Sequence, residues 1–182
     1  MRDACLTPIA RPPAFLAAAR RSWVVIFLFG LVLMLPVQAK ALSVRQGAAA
    51  FSHGDFFRAS SIFIPLAEHG DSVAQAYLGF MFETGRGVPQ NYSEAAMWYR
   101  RSAEQGNSTA QYSLGLLYDK GFGVPRDAVE AHRWLNLSTS LASPRDRENR
   151  ERVRDAIATK MSREEIALSR SRSLEWMPSR EH

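Results

Sequence analysis

The chain has 182 residues, with 23 Lys and Arg against 18 Asp and Glu, a formal net charge of +5, and a single cysteine. Arg2, Arg11, Arg20, Arg21 and Asp3 all precede residue 39, so the remainder carries 19 basic against 17 acidic residues, a net of +2. Without a basic stripe on that part, nucleic acid is excluded as a partner, and the lone Cys5 excludes a disulfide framework.

Residues 1–39 read as a secretory signal peptide. Arg20 and Arg21 precede WVVIFLFGLVLMLP, a 14-residue apolar run, and Val37-Gln38-Ala39 and Ala39-Lys40-Ala41 each fit a small-x-small cleavage site. Cleavage near Ala39 or Ala41 would deliver a periplasmic or secreted protein and remove Cys5. The run is shorter than the roughly 20 residues of a comfortable membrane span. Left uncleaved, it would make the protein inner-membrane anchored, which is the alternative.

Residues 40–71 are predicted to form a degenerate helical hairpin. AEHGDSVAQ at 67–75 lies on AEQGNSTAQ at 103–111, an offset of 36, and Ala59, Ile62 and Phe63 fall where Ala95, Trp98 and Tyr99 fall in the next unit. Only Ser52, His53 and Gly54 precede the predicted cap Asp55, and a shortened terminal unit suits the end of a stack. Pro65 is expected to bend the second helix.

Residues 72–107 and 108–142 say nearly the same thing twice. Ala74, Gln75, Leu78, Gly79, Gly85, Gly87, Val88, Pro89, Glu94, Ala95, Trp98 and Ser102 recur 36 residues later, from Ala110 to Ser138. A fixed period of this length is the mark of stacked repeats, none of which buries its apolar face alone. Ala74, Tyr77, Leu78, Met81 and Phe82 share one face of a first helix, and Ala95, Trp98, Tyr99, Ser102 and Ala103 one face of a second. That spacing places Trp98 and Trp134 in the core. Capping boxes are predicted at Ser72/Gln75, Asn91/Glu94, Ser108/Gln111 and Asp127/Glu130. Gly85 and Gly121 are predicted to end the first helices, and Gly70 and Gly106 the second ones. Gly79 and Gly115 lie inside helices, where Gly costs about 1 kcal/mol relative to Ala, so a close helix-to-helix approach is expected there.

Residues 143–182 are predicted to cap the stack. Ser143-Pro144 starts a mixed-charge helix to Lys160, with Val153, Ile157 and Met161 as its thin apolar stripe. Ser162 and Glu165 form a further capping box, with Met161 and Ile166 as its staple, and the closing helix is expected to reach Trp176 before Pro178. Arg163, Arg170 and Arg172 alternate with Glu164, Glu165 and Glu175, which reads as a solvated face.

With these motifs in place, LGFMFETGRGVPQN followed by EAAMWYRRSAEQG, and LGLLYDKGFGVPRD in the next unit, resemble the Sel1-like repeat, a relative of the tetratricopeptide family. The tail MSREEIALSRSRSLEWMP is similar to tails that follow such repeats in exported bacterial proteins. The resemblance implies an all-α fold, an α/α solenoid of Sel1-like/TPR-like helical hairpins with a helical C-terminal cap, that binds other proteins.

No Ser/His/Asp order, HExxH, phosphate loop or Cys/His spacing can be assembled, so no catalytic, cofactor or metal site is expected. The Gly-x-Gly pairs follow helices and not strands, which excludes a dinucleotide fingerprint. His53, His69 and His132 read as surface residues. Glu83 and Asp119 occupy equivalent positions on neighbouring helices, about 10 Å apart by helix packing, and read as a repeated acid in preference to an acid/base pair.

The first helices of stacked hairpins line the concave side. Phe80, Glu83 and Arg86 in one unit, and Leu116, Asp119 and Phe122 in the next, are therefore the expected partner-binding residues. The expected function is that of an exported, non-catalytic protein–protein interaction scaffold or adaptor. Its partner would be a protein or peptide, with cell-wall association a recurring theme of the family. The resemblance also supplies an alternative, since cysteine-rich Sel1-like proteins have been assigned β-lactam binding and hydrolysis. This chain departs from them: the disulfide-forming cysteines are absent, and neither Ser102 nor Ser138 has a Lys three residues on.

Overall fold

The computed structural model describes residues 43–179, and among these the chain forms eight helices and no strand. They are α1 (43–52), α2 (Phe56–Glu68), α3 (Ser72–Thr84), α4 (Tyr92–Glu104), α5 (Ser108–Lys120), α6 (Ala128–Ser140), α7 (Pro144–Ala158) and α8 (Arg163–Leu174). Consecutive helices pack antiparallel in hairpins, α3 on α4 and α5 on α6, and the hairpins stack through α2 on α3 and α4 on α5. Helices α7 and α8 both close over α6. The predicted signal peptide and Cys5 lie outside the described residues. Among the described ones, no helix is long and apolar enough to cross a membrane.

The helix starts follow from side-chain capping, with two corrections. Asn91 and Asp127 cap α4 and α6, but without the reciprocal bond of a capping box, because their own N–H groups donate to Phe82 O and Tyr118 O and not to Glu94 or Glu130. Helices α3 and α5 are capped by Asp71 and Asn107, one residue before the predicted Ser72 and Ser108. Each accepts from two backbone N–H groups, and the serines become the first helical residues. Gln75 and Gln111 are thereby released from any capping box. Both are fully buried and donate to Ala67 O and Ala103 O at 3.1 Å, tying each first helix to the last turn of the helix before it. Ser162 and Glu165 do form a reciprocal box at α8.

The glycines within helices mark the closest approaches. A Cβ on Gly79 would fall 2.7 Å from Tyr99 Cδ1, and one on Gly115 2.8 Å from Leu135 Cγ. Gly47 in α1 repeats the arrangement, 2.7 Å from Phe63 Cε1, and Phe63 is the counterpart of Tyr99. Gly47 precedes Gly79 by 32 residues and not 36, because the loop at 53–55 is four residues shorter than the loop at 85–91.

The loops explain the spacing between units. Gly87 and Gly123 have φ of +72° and +70°, and a Cβ on them would lie 2.3 Å from Phe56 O and 2.1 Å from Tyr92 O. Phe56 and Tyr92 open α2 and α4. Each Gly-x-Gly loop thus rides on the start of the second helix in the preceding unit, backbone against backbone. The intervening residue sits on the aromatic ring there, Arg86 at 5.4 Å from Phe56 and Phe122 at 4.8 Å from Tyr92. The same position in α6 is Ala128, and no third such loop follows.

Trp98 and Trp134 are buried as predicted, each with an arginine, Arg101 or Arg133, over the indole. Phe63, Leu78 and Met81 centre the N-terminal part of the core, and Tyr99, Leu114, Leu117 and Leu135 the part that follows. Helix α2 continues past Pro65 to Glu68.

The C-terminal cap is more polar inside than its sequence suggests. Ile157 buries its side chain and Val153 and Met161 pack beside it, as expected. Arg150 is also buried, donating to Ser108 O at 2.8 Å and Ser138 O at 3.1 Å. Helix α8 buries Ser169 and Ser173. His132, predicted to be a surface residue, is only 3% exposed, its Nδ1 lying 2.7 Å from Ser169 Oγ. The reason is that α8 lies over this face of α6. Arg172, predicted on a solvated face, pairs with Glu130 at 2.8 Å. Helix α8 ends at Leu174, short of Trp176, whose ring instead packs near Gly106, and Ser179 N donates to Glu104 O at 2.8 Å.

Candidate protein-interaction groove

On α3, Val73, Ala76, Tyr77 and Phe80 form an i, i+3, i+4, i+7 stripe beside the core stripe of Ala74, Leu78 and Met81. Here Val73 is 43% and Phe80 36% exposed. Together with Phe51 of α1 and Asn107, Thr109 and Ser113 of α5 and its cap, the stripe lines a groove of about 450 Å³ along the first helices, with Tyr99 at its base. A volume of this order suits a small ligand or a short peptide segment.

One wall is aromatic and preorganised. Phe51 makes edge-on contacts with Phe56, Tyr77 and Phe80, with centroids 5.2, 5.5 and 5.8 Å apart, and Tyr77 stacks on Phe63 at 4.6 Å. The base is polar, because Tyr99 Oη donates to Glu83 Oε2 at 2.7 Å. Burial first, and the adjacent Glu83 charge second, push the Tyr99 hydroxyl far above its usual range, so it stays a protonated donor. The next unit has Leu135 and Asp119 at these positions, so the Tyr–Glu pair occurs once.

The six expected partner-binding residues separate into two groups. Phe80 lines the groove, Arg86 sits beside it with its guanidinium 5.7 Å from the Phe80 ring centre, and Glu83 is half-buried and bonded to Tyr99. Leu116 and Asp119 are half-buried on α5 and do not line the groove. Phe122 is 41% exposed but packs on Tyr92, with Lys120 Nζ 5.7 Å from its ring, so it belongs to the contact between units. Phe51, Val73, Tyr77, Asn107, Thr109 and Ser113 were not anticipated. The sequence signal for them is the second apolar stripe on α3; Tyr77, placed on the core stripe by its spacing, does pack against the core through Phe63 and lines the groove as well.

A second, more open depression lies between α6 and α8, lined by Glu130, Arg133, Arg172, Glu175 and Trp176. Glu130 pairs there with both Arg133 and Arg172, at 3.0 and 2.8 Å, while the buried Arg133 Nε has no partner among the described residues. Nearby, burial and then the charges of Arg154 and Arg170 lower the pKa of His132, with Asp155 opposing. Among the described residues, no cluster of three or more His, Cys, Asp or Glu could hold a metal ion.

The Sel1 repeat family model matches residues 72–107 and 108–143. Among solved structures, a protective antigen of uropathogenic Escherichia coli displaying an SLR fold is similar over 78% of this chain and 30% of its own, at 27% identity and a TM-score of 0.70. A Sel1 repeat protein from Oxalobacter formigenes is similar over 75% of this chain and 55% of its own, at 23% identity and a TM-score of 0.58, which speaks to the fold alone. The chain therefore spans less than two thirds of either structure. No curated protein matches the sequence.

Proposed function

We propose that this Sel1 repeat protein is an exported, non-catalytic scaffold that holds a protein partner in the groove along its first helices. Sel1 repeats generally mediate protein–protein interaction, and folds of this kind are typically non-catalytic. The observation that carries the reading is the preformed groove with Val73 and Phe80 exposed in it. Rigid helical hairpins supply the surface, and the partner is recognised without any bond being made or broken. Export to the periplasm is supported by the basic, apolar and small-residue order of residues 20–41, and the intact mass of the mature chain tests it.

The two serines considered for β-lactam chemistry support the non-catalytic reading. Ser102 and Ser138 are fully buried, and their hydroxyls donate to Ser72 O at 2.6 Å and Leu135 O at 2.9 Å. Turnover of a chromogenic β-lactam above a heat-denatured control would overturn it. The interaction is tested with a photo-crosslinking residue placed in cells at position 80 or, as a control on α4, at Met97, which is 43% exposed. Adducts specific to position 80 are expected. Equal adducts at both positions, or adducts at 97 alone, would refute the groove.

A further inference from the structure

Taking the groove as a protein-binding face, its chemistry narrows what fills it. We propose that it takes an extended peptide segment in which an aromatic or branched aliphatic side chain neighbours an aspartate or glutamate. The apolar side chain enters among Phe51, Tyr77 and Phe80, and the carboxylate pairs with Arg86.

The apolar half of this specificity comes from the aromatic wall, where the rings hold one another edge-on and leave Phe80 open to solvent. The charged half comes from Arg86. Its guanidinium lies over the rings of Phe80 and Phe56, at 5.7 and 5.4 Å, and no acceptor among the described residues bonds to its side chain. The nearest carboxylate along the chain, Glu83, accepts from the Tyr99 hydroxyl through Oε2 and makes no ion pair with Arg86. A guanidinium laid over ring faces, with no carboxylate among the described residues paired to it, is open to a carboxylate, which its planar fork matches in two-pronged geometry. The same placement repels a lysine or arginine on the incoming segment.

An extended segment must also find partners for its own N–H and C=O groups. The wall opposite the aromatics offers the hydroxyls of Thr109 and Ser113 for this, the Asn107 side chain being engaged as the cap of α5. The following unit lacks the combination, because Phe122 stands where Arg86 does and packs on Tyr92. One acid-and-apolar pair per partner is therefore the expected requirement.

The test is a display selection on the full chain, using short random peptides fused at their C-termini so that side chains supply every peptide carboxylate. It is run in parallel on Arg86→Gln and Arg86→Lys, each first shown to match the parent in helical circular dichroism and melting temperature. Expected is enrichment of Asp or Glu within two positions of Phe, Trp, Leu or Ile, lost on Arg86→Gln and partly restored by Arg86→Lys. Synthetic copies of selected peptides should weaken about two- to fivefold on Arg86→Gln, the scale of an exposed ion pair, and also when the acid is replaced by lysine.

Enrichment of basic or uncharged sequences, no enrichment, or acid enrichment that survives Arg86→Gln would overturn the assignment. An acid requirement seen only in a library with free C-termini would overturn it in favour of a terminal carboxylate. If crosslinks form specifically at position 80 while any of these results is obtained, the groove stands and the role of Arg86 falls. If position-80 crosslinks fail as well, both fall together.

Discussion

Gly121 and Gly123 have almost the same backbone conformation, φ of +73° and +70°, but very different surroundings, and replacing each with alanine separates two physical costs. A left-handed conformation costs a residue with a Cβ about 1–2 kcal/mol, part of which is offset because alanine restricts the unfolded chain by about 0.4–1 kcal/mol. At Gly121 little is added, since the nearest atom to the new methyl is Arg126 Cβ at 3.3 Å; a net loss of about 1 kcal/mol is expected. At Gly123 the methyl would lie 2.1 Å from Tyr92 O, 2.2 Å from Tyr92 C and 2.6 Å from Ser93 N, all backbone atoms in the first turn of α4. Such atoms cannot rotate aside, so the loop must lift off the preceding unit, adding at least the roughly 1–3 kcal/mol of ordinary overpacking. Gly123→Ala should therefore lose about 2–4 kcal/mol, and the two variants should differ by about 1–3 kcal/mol. Urea titrations followed by circular dichroism, with shared baselines and the parent alongside, measure this difference. Losses that agree within about 0.5 kcal/mol, the scatter expected of independent small effects, would show that the loop does not bear on α4 as described.

Trp98→Ala should cost about 3–5 kcal/mol in a denaturant titration, because the indole is buried under Arg101; a loss well below that range would remove Trp98 from the core. Arg150→Ala deletes a buried guanidinium that bonds Ser108 O and Ser138 O. A loss of about 2–4 kcal/mol is expected from two charge-assisted bonds and the Ser138 carbonyl left without a partner in the last turn of α6, and a neutral result would mean that this carbonyl finds another partner. The lowered pKa of His132 gives a pH dependence with a definite sign. Burial, Arg154 and Arg170 disfavour its protonated form in the folded chain, so its contribution is complete above the unfolded pKa of about 6.5 and declines as pH falls below it. The melting temperature should drop more steeply from pH 7 to pH 5 in the parent than in His132→Gln, and parallel profiles would contradict this.

The repeat frame was legible because its signals are local and doubled. The offset of 36, the helix-ending glycines and the tryptophans depend on neighbours that recur in the sequence. Gly47 escaped notice because the short first loop moves it to an offset of 32, although it does for Phe63 what Gly79 does for Tyr99. The caps of α3 and α5 were misplaced by one residue because Asp71-Ser72 and Asn107-Ser108 each offer two capping side chains in succession, and sequence alone does not choose between them. His132 and Arg150 were opaque for another reason. Helices α7 and α8 have too little apolar patterning to show which faces they cover, so the burial they impose on α6 has no local trace. Of the groove, Phe80 and Arg86 were visible as large side chains outside the core stripe. Phe122 looked equivalent to Arg86 by period and is, but the shared role is contact with the aromatic residue of the preceding unit.

That contact also bears on where a further unit could be inserted. The residue beneath the middle of each loop is phenylalanine at 56, tyrosine at 92 and alanine at 128, so the aromatic ring that receives the intervening residue of a following loop is absent from the last hairpin. A duplicate of residues 72–107 spliced after residue 107 would meet Tyr92 as its ledge and offer its own tyrosine to Phe122, lengthening the array without new chemistry. The same block added after residue 143 would meet Ala128 and displace the polar helices that now cover α6. Duplication between the two repeats would therefore keep every ring contact described above.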